Sequence, residues 1–157
     1  MNKNWIDIDN RDIKFRVFDR PTQKMLYQKD YEFIFLFKDG KPIFDVIDNT
    51  PIPKVVHNND GSISFEDTTK MFRLSISDNL NGQLMEYSGF KDMDGADIYE
   101  GDILEKEMYG KKVYYEVEHS NGSWKIRNHH DYIHLATIRV LSKVVGNIYQ
   151  HRKLLGY

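Results

Sequence analysis

The residues best equipped for chemistry are histidines, and they crowd one stretch, His129-His130-Asp131-Tyr132-Ile133-His134, with His119 shortly before it. On a helix His130 and His134 share a face; on a strand His130, Tyr132 and His134 do. Paired imidazoles at either spacing suit Zn²⁺ or Ni²⁺, so His119, His130 and His134 are the candidate ligands of a metal-dependent hydrolase. Further ligands would have to come from His129, Asp131 or Glu118, at spacings that match no metal motif. A solvated polar loop is the favoured reading.

A second acidic group, Asp92-Met93-Asp94-Gly95-Ala96-Asp97, resembles a calcium loop only superficially. Such a loop needs glycine at its sixth position and a bidentate glutamate at its twelfth, whereas Gly95 falls at the fourth. Aspartates here are expected to cap and shape a hairpin. A third pattern interleaves bases with aromatics. Lys14, Arg16 and Lys24 lie near Phe15 and Phe18, and Lys106, Lys111, Lys112, Lys125 and Arg127 surround Tyr109, Tyr114 and Trp124. Patches of this kind hold single-stranded nucleic acid. The interleaved Glu105, Glu107, Glu116 and Glu118 cancel much of the field, which makes cross-strand charge pairing the simpler expectation.

Other chemistry finds no support. The chain has no cysteine, which removes disulfides, thiolate zinc sites, Fe–S clusters and cysteine nucleophiles. It has no Gly-rich phosphate loop, no G-x-S-x-G elbow and no H-E-x-x-H helix. No catalytic residue is assigned and no cofactor is called for. With 22 basic against 24 acidic residues the formal net charge is −2, so no global basic field draws in phosphate backbones. The charged first residues do not read as a signal peptide, and the apolar run from Phe33 to Phe37 is far short of the roughly 20 residues of a membrane helix.

The elements that must position these residues read as antiparallel β. Asp39-Gly40, Asp60-Gly61, Asn81-Gly82, Asp94-Gly95 and Asn121-Gly122 are pairs that accept the positive φ of tight hairpin turns. Residues 31–38 and 41–47 form one predicted hairpin, and 113–120 with 123–127 another, with Tyr115 and Val117 on one face and Tyr114 and Glu116 on the other. An opening hairpin is expected over 13–27. Pro51 and Pro53 remove two ladder donors and suggest a linker or an edge connection where the chain crosses between sheets. Residues 65–77 read as a strand, 130–145 as a helical turn leading into a strand over 140–148, and 150–155 as a short closing helix.

Three segments, in order, resemble the YopX family of small phage and prophage proteins. They are Ile13-Lys14-Phe15-Arg16-Val17-Phe18-Asp19 with Lys24-Met25-Leu26-Tyr27; Glu86-Tyr87-Ser88-Gly89-Phe90-Lys91-Asp92 with Asp94-Gly95 and Ile98-Tyr99-Glu100-Gly101-Asp102-Ile103-Leu104; and Val144-Val145-Gly146-Asn147-Ile148-Tyr149 with Leu154-Leu155. The histidine cluster is not part of this pattern. The resemblance implies a single domain over 1–157, with N-terminal hairpins and a variable middle in 1–80 and a β-barrel-like half in 81–157. It implies a mainly β fold of antiparallel hairpins, an SH3-like small β-barrel in the C-terminal half and a short C-terminal helix. Gly89, Tyr99, Gly101, Asp102, Gly146 and Asn147 are its motif residues, and their types suit turns, close approaches and core rather than chemistry.

A fold by analogy carries no activity. The expectation is therefore a non-enzymatic phage or prophage accessory protein in the host cytoplasm. Its partner would be a host or phage protein bound through the middle segment, and self-association would cover exposed strand edges. Nucleic-acid association through Lys111, Lys112, Trp124, Lys125 and Arg127 is the alternative, followed by the metal-dependent hydrolase.

Overall fold

The computed structural model describes residues 13–39, 41–74 and 82–156. The described residues divide into two compact units, one within 16–84 and one joining 13–15 with 85–156. The Lys14 carbonyl accepts the Tyr87 amide at 2.9 Å within the latter.

In the first unit β1 (Phe15–Asp19) and β2 (Lys24–Tyr27) form the opening hairpin, with Val17 opposite Leu26. Strands β3 (Glu32–Lys38), β4 (Lys41–His57) and β5 (Ile63–Leu74) follow as an antiparallel sheet in that order. Period-two alternation sends Val17, Leu26 and Val46 into one buried cluster, flanked by Tyr31, Phe33 and Leu84. The prolines do not interrupt the chain as the sequence suggested. Strand β4 runs straight through Pro51 and Pro53 after a bulge between Asp48 and Pro51. Its pairing with β3 ends at Ile47, so beyond that point a missing amide on its outer edge costs no ladder bond.

In the second unit β6 (Gly82–Lys91), from Met85 onward, and β7 (Asp97–Tyr99) form a bulged hairpin. Strands β8 (Asp102–Met108), β9 (Lys111–Ser120), β10 (Ser123–Arg127), β11 (Tyr132–His134) and β12 (Lys143–Asn147) make a five-stranded antiparallel sheet ordered β11-β10-β9-β8-β12. One helical turn, α1 (Leu135–Ile138), and 3-10 turns at Arg139–Leu141 and Arg152–Leu155 complete it. The closing helix expected over 150–155 is therefore 3-10 and shorter. The register pairs Leu104 with Tyr115 and Val117 with Ile126, placing all four on the buried face, where Ile98, Leu135 and Ile138 join them. Each such side chain contributes about 1.5–3 kcal/mol on burial. The fold is mainly β, with antiparallel sheets.

One buried carboxylate ties this unit together. Asp92, 7% exposed, accepts the amides of Asp94 and Ala96 on Oδ1 and that of Val144 on Oδ2, each at 2.9 Å. It closes the β6–β7 turn and fixes the start of β12 in the same interaction. The Met93 amide donates to the Ser142 carbonyl at 3.0 Å beside it. Asp92→Ala strands these amides and is expected to cost more than about 2 kcal/mol, whereas an exposed control, Asp94→Ala, changes stability by less than about 1 kcal/mol; urea unfolding of both variants checks this.

Candidate functional site

The sheet register decides what the histidines can do. His119 lies opposite Trp124, and their rings approach with centroids 4.8 Å apart. His134 lies opposite Lys125, which in turn faces Glu118. Neighbouring positions alternate faces, so His119 and His134 project from opposite sides of the sheet. His129 and His130 are exposed on a turn built by Asn128, whose Oδ1 accepts the amides of His130 (2.8 Å) and Asp131 (2.7 Å). Asp131 is spent on Tyr115, whose hydroxyl donates to Oδ2 at 3.1 Å. Burial first, then this carboxylate, pushes the Tyr115 phenol above its ordinary value. Among the described residues no group of three or more His, Asp or Glu is placed to hold a metal ion.

The basic residues nominated for nucleic acid are also separated. Lys125 and Arg127 share the outer face with Glu116 and Glu118, and Trp124 lies on the other face. Arg127 Nε meets Glu118 at 2.9 Å and Nη2 meets Glu116 at 3.4 Å. The Lys125 ammonium sits over the Tyr132 ring, 4.5 Å from its centroid, while the Tyr132 hydroxyl donates to Glu118 at 2.7 Å. Lys112 pairs with Glu105 at 2.9 Å. The outer face is thus a ladder of cross-strand charge pairs, with the Tyr132 ring already covered by Lys125.

The motif residues build backbone. Asp102, fully buried, accepts the Tyr99 amide at 2.8 Å, and Tyr99 packs on Tyr87. Gly101 donates to Val117 and accepts from Ile148, and a Cβ there would meet the Tyr149 ring at 3.3 Å. At Gly146 a Cβ would lie 2.6 Å from His151 Nδ1, the atom that accepts the Asn147 amide. Asn147 Oδ1 accepts the amides of Tyr149 and Gln150, and Gly89 lies in the bulged stretch of β6.

Three features did not follow from the sequence reading, although Tyr109 and Glu100 were both named in it. A shallow pocket of about 220 Å³ is lined by residues 112–114, 128–130 and 154–156, joining the histidine turn to the C-terminal 3-10 turn. Tyr109, which is 99% exposed, forms a two-residue turn with Gly110. Glu100 is half-buried, and burial raises its carboxyl above the ordinary value of 4.5; His119 opposes the shift and Glu86 and Glu118 add to it. The pocket and the burial of Glu100 depend on chain segments that meet only in space, and the turn at Tyr109 carries no Asn-Gly or Asp-Gly signal.

In the first unit the telling feature is backbone. Residues 51–57 of β4 pair with 63–69 of β5, beyond the last residue that β3 reaches, as a two-stranded ribbon. Val55 and Ile63, 49% and 58% exposed, lie near its tip.

The sequence profile described as YopX protein matches residues 14–156. The chain belongs to the YopX family. The match runs through both units, so the YopX domain includes the ribbon as well as the five-stranded sheet. The crystal structure of protein EF1440 from Enterococcus faecalis is similar in fold, with a TM-score of 0.58 and 23% identity over 91% of this chain and 97% of that one. No curated protein matches the chain. No described helix is long and apolar enough to cross a membrane.

Glu100 offers a pH readout of the second unit. A carboxyl whose folded pKa is raised penalises the folded state only once it ionises, so its penalty is absent below about 4.5 and grows as pH rises through the folded value. Glu100→Gln is expected to raise the melting temperature at pH 7, with the gain shrinking to nothing near pH 4. Thermal unfolding of both proteins across that range measures it.

Proposed function

We propose that this YopX-family protein is a phage or prophage accessory protein that works in the host cytoplasm as a non-enzymatic protein-interaction module, with the β4–β5 ribbon as its recognition arm. The observation that carries this reading is the ribbon's pairing. Beyond Ile47 the two strands pair only with each other among the described strands, leaving two edges of backbone donors and acceptors. Two-stranded ribbons are marginal on their own, and open edges invite strand addition.

The two edges differ. Prolines in strands sit where the absent amide faces away from the ladder, so Pro51 and Pro53, two residues apart, remove donors from the outer edge of β4. Strand β5 contains no proline and keeps its donors. A partner segment is therefore expected to add to β5 through main-chain bonds, as in other strand-addition complexes.

Residues 1–157 are read here as one family domain, supported by the span of the profile match. The curl of the five-stranded sheet is read as SH3-like, supported by the Gly101-Asp102-Ile103 step that starts β8 at a tight corner. The paired charges on the outer face and the opposed placement of His119 and His134 favour neither a nucleic-acid nor a hydrolase reading.

The register supplies the test. Ile52 pairs with Thr68, so replacing residues 53–67 by Asn-Gly shortens the ribbon without shifting the remaining pairs. Pull-downs from prophage-carrying host lysate, with and without nuclease, are expected to recover nuclease-resistant protein partners with the intact protein and to lose them with the shortened one. Partners retained by a folded short variant would remove the ribbon from recognition, and partners lost on nuclease treatment would turn the reading to nucleic acid.

A further inference from the structure

Among the described strands β5 has a neighbour, β4, on one side only, and its other edge carries a fixed hydrogen-bond phase. Pro51 lies opposite Thr69 and Pro53 opposite Asp67. A proline has no amide to give a neighbouring strand, so these are non-hydrogen-bonded positions of the β4–β5 ladder. The Asn58 amide, which donates to the Ser62 carbonyl at 2.9 Å, confirms that even-numbered residues make the ladder bonds here. The amides and carbonyls of Asp67 and Thr69 therefore face outward, as do those of the other odd-numbered residues of β5.

A strand that adds to this edge must match both its phase and its sequence, and β5 of a second copy matches both. A two-fold axis perpendicular to the sheet pairs β5 with itself antiparallel, and odd positions then meet odd positions. With the axis at Thr68, Asp67 meets Thr69 of the second copy, and both have outward backbone groups to exchange. In the same register Glu66 meets Lys70 and Phe65 meets Met71. Within each chain Glu66 already lies opposite Lys54, Lys70 opposite Asp48, Phe65 opposite Val55 and Met71 opposite Ile47. A strand residue has a neighbour on each side, so these columns extend across the two copies. One reads Lys54-Glu66-Lys70-Asp48, alternating in charge, and the other Val55-Phe65-Met71-Ile47, apolar throughout. Other registers lack this match. An axis at Asp67 or at Lys70 sets like charges against themselves, and one at Thr69 sets Glu66 against Phe72 and Phe65 against Arg73.

We infer that the outer edge of β5 pairs antiparallel with the same edge of a second copy about Thr68, joining two three-stranded sheets into one continuous sheet and closing the chain as a dimer. The inference rests on the reading of β5 as the recognition edge and names what occupies that edge when the protein is alone. A strand from another protein would then have to displace the second copy. Two-fold pairing also leaves no β5 edge open to further addition.

Sedimentation velocity on the purified full chain tests this. The wild type is expected to show a concentration-dependent monomer–dimer equilibrium. Glu66→Lys alone sets like charges against Lys70 of the second copy, and Lys70→Glu alone does the same against Glu66, so each should weaken dimerisation by roughly tenfold or more. An equimolar mixture of the two variants should restore it, because each altered position then meets its opposite. Whatever either substitution costs within its own chain is the same alone and mixed, so the recovery reads the register between copies. Thr69→Pro, which removes an outward amide where the β4 ladder has no bond, should weaken association while circular dichroism stays that of the wild type. A wild type that stays monomeric to millimolar concentration overturns the inference, as does a mixture that associates no better than either variant. A monomeric wild type whose pull-down partners are still lost when the ribbon is shortened overturns self-pairing and leaves the recognition reading standing.

Discussion

The second unit depends on a negative charge held away from water. A carboxylate that is nearly inaccessible is stable only if donors replace its lost hydration, and Asp92 obtains them from three backbone amides. Two belong to its own turn and the third to Val144, far along the chain. The order of the five-stranded sheet rests on this arrangement, because β12 starts where Asp92 holds it and then pairs with β8. Asp102 and Asn147 repeat the device on a smaller scale, each satisfying backbone groups at a corner. The polar residues of the family motif thus serve the chain's own hydrogen bonds.

The same economy governs the outer face. Lys125, Arg127 and Lys112 each meet a carboxylate or an aromatic face on a neighbouring strand, so the potential there is small at any distance beyond the pairs themselves. Such pairs add little stability individually and act mainly against misregistered sheets. In the reading proposed above, recognition falls to a feature that lacks such pairing, the ribbon edge of the first unit.

Local chemistry made much of the architecture legible. Asp60-Gly61, Asp94-Gly95 and Asn121-Gly122 announced their turns because the energy of a short turn is set by the residues in it: Gly61, Gly95 and the Asn121-Gly122 pair take the positive φ there. Alternation in 113–120 announced that Tyr115 and Val117 would share a face, because a strand's faces follow from its period of two, and that face is buried. Asn81-Gly82 falls partly outside the described residues, as do 75–77 of the strand predicted over 65–77 and Gly40 of the Asp39-Gly40 turn. Pro51 and Pro53 misled, because a proline's effect depends on whether a neighbouring strand occupies the edge it faces, and β3 ends before reaching them.

Sequence alone therefore determined the family, the β class, the turns and the buried faces, all of which follow from short-range backbone preference and side-chain period. Tertiary structure decided the rest. It set His119 and His134 on opposite faces, gave Lys125 and Arg127 their partners, carried Asp92 to Val144 and assembled a pocket from three distant segments. It also placed Tyr109 in a left-handed turn that its residue type would never announce. These outcomes depend on which strands become neighbours and in what register, and that is fixed by the summed burial and hydrogen bonding of the whole unit rather than by any local stretch of it.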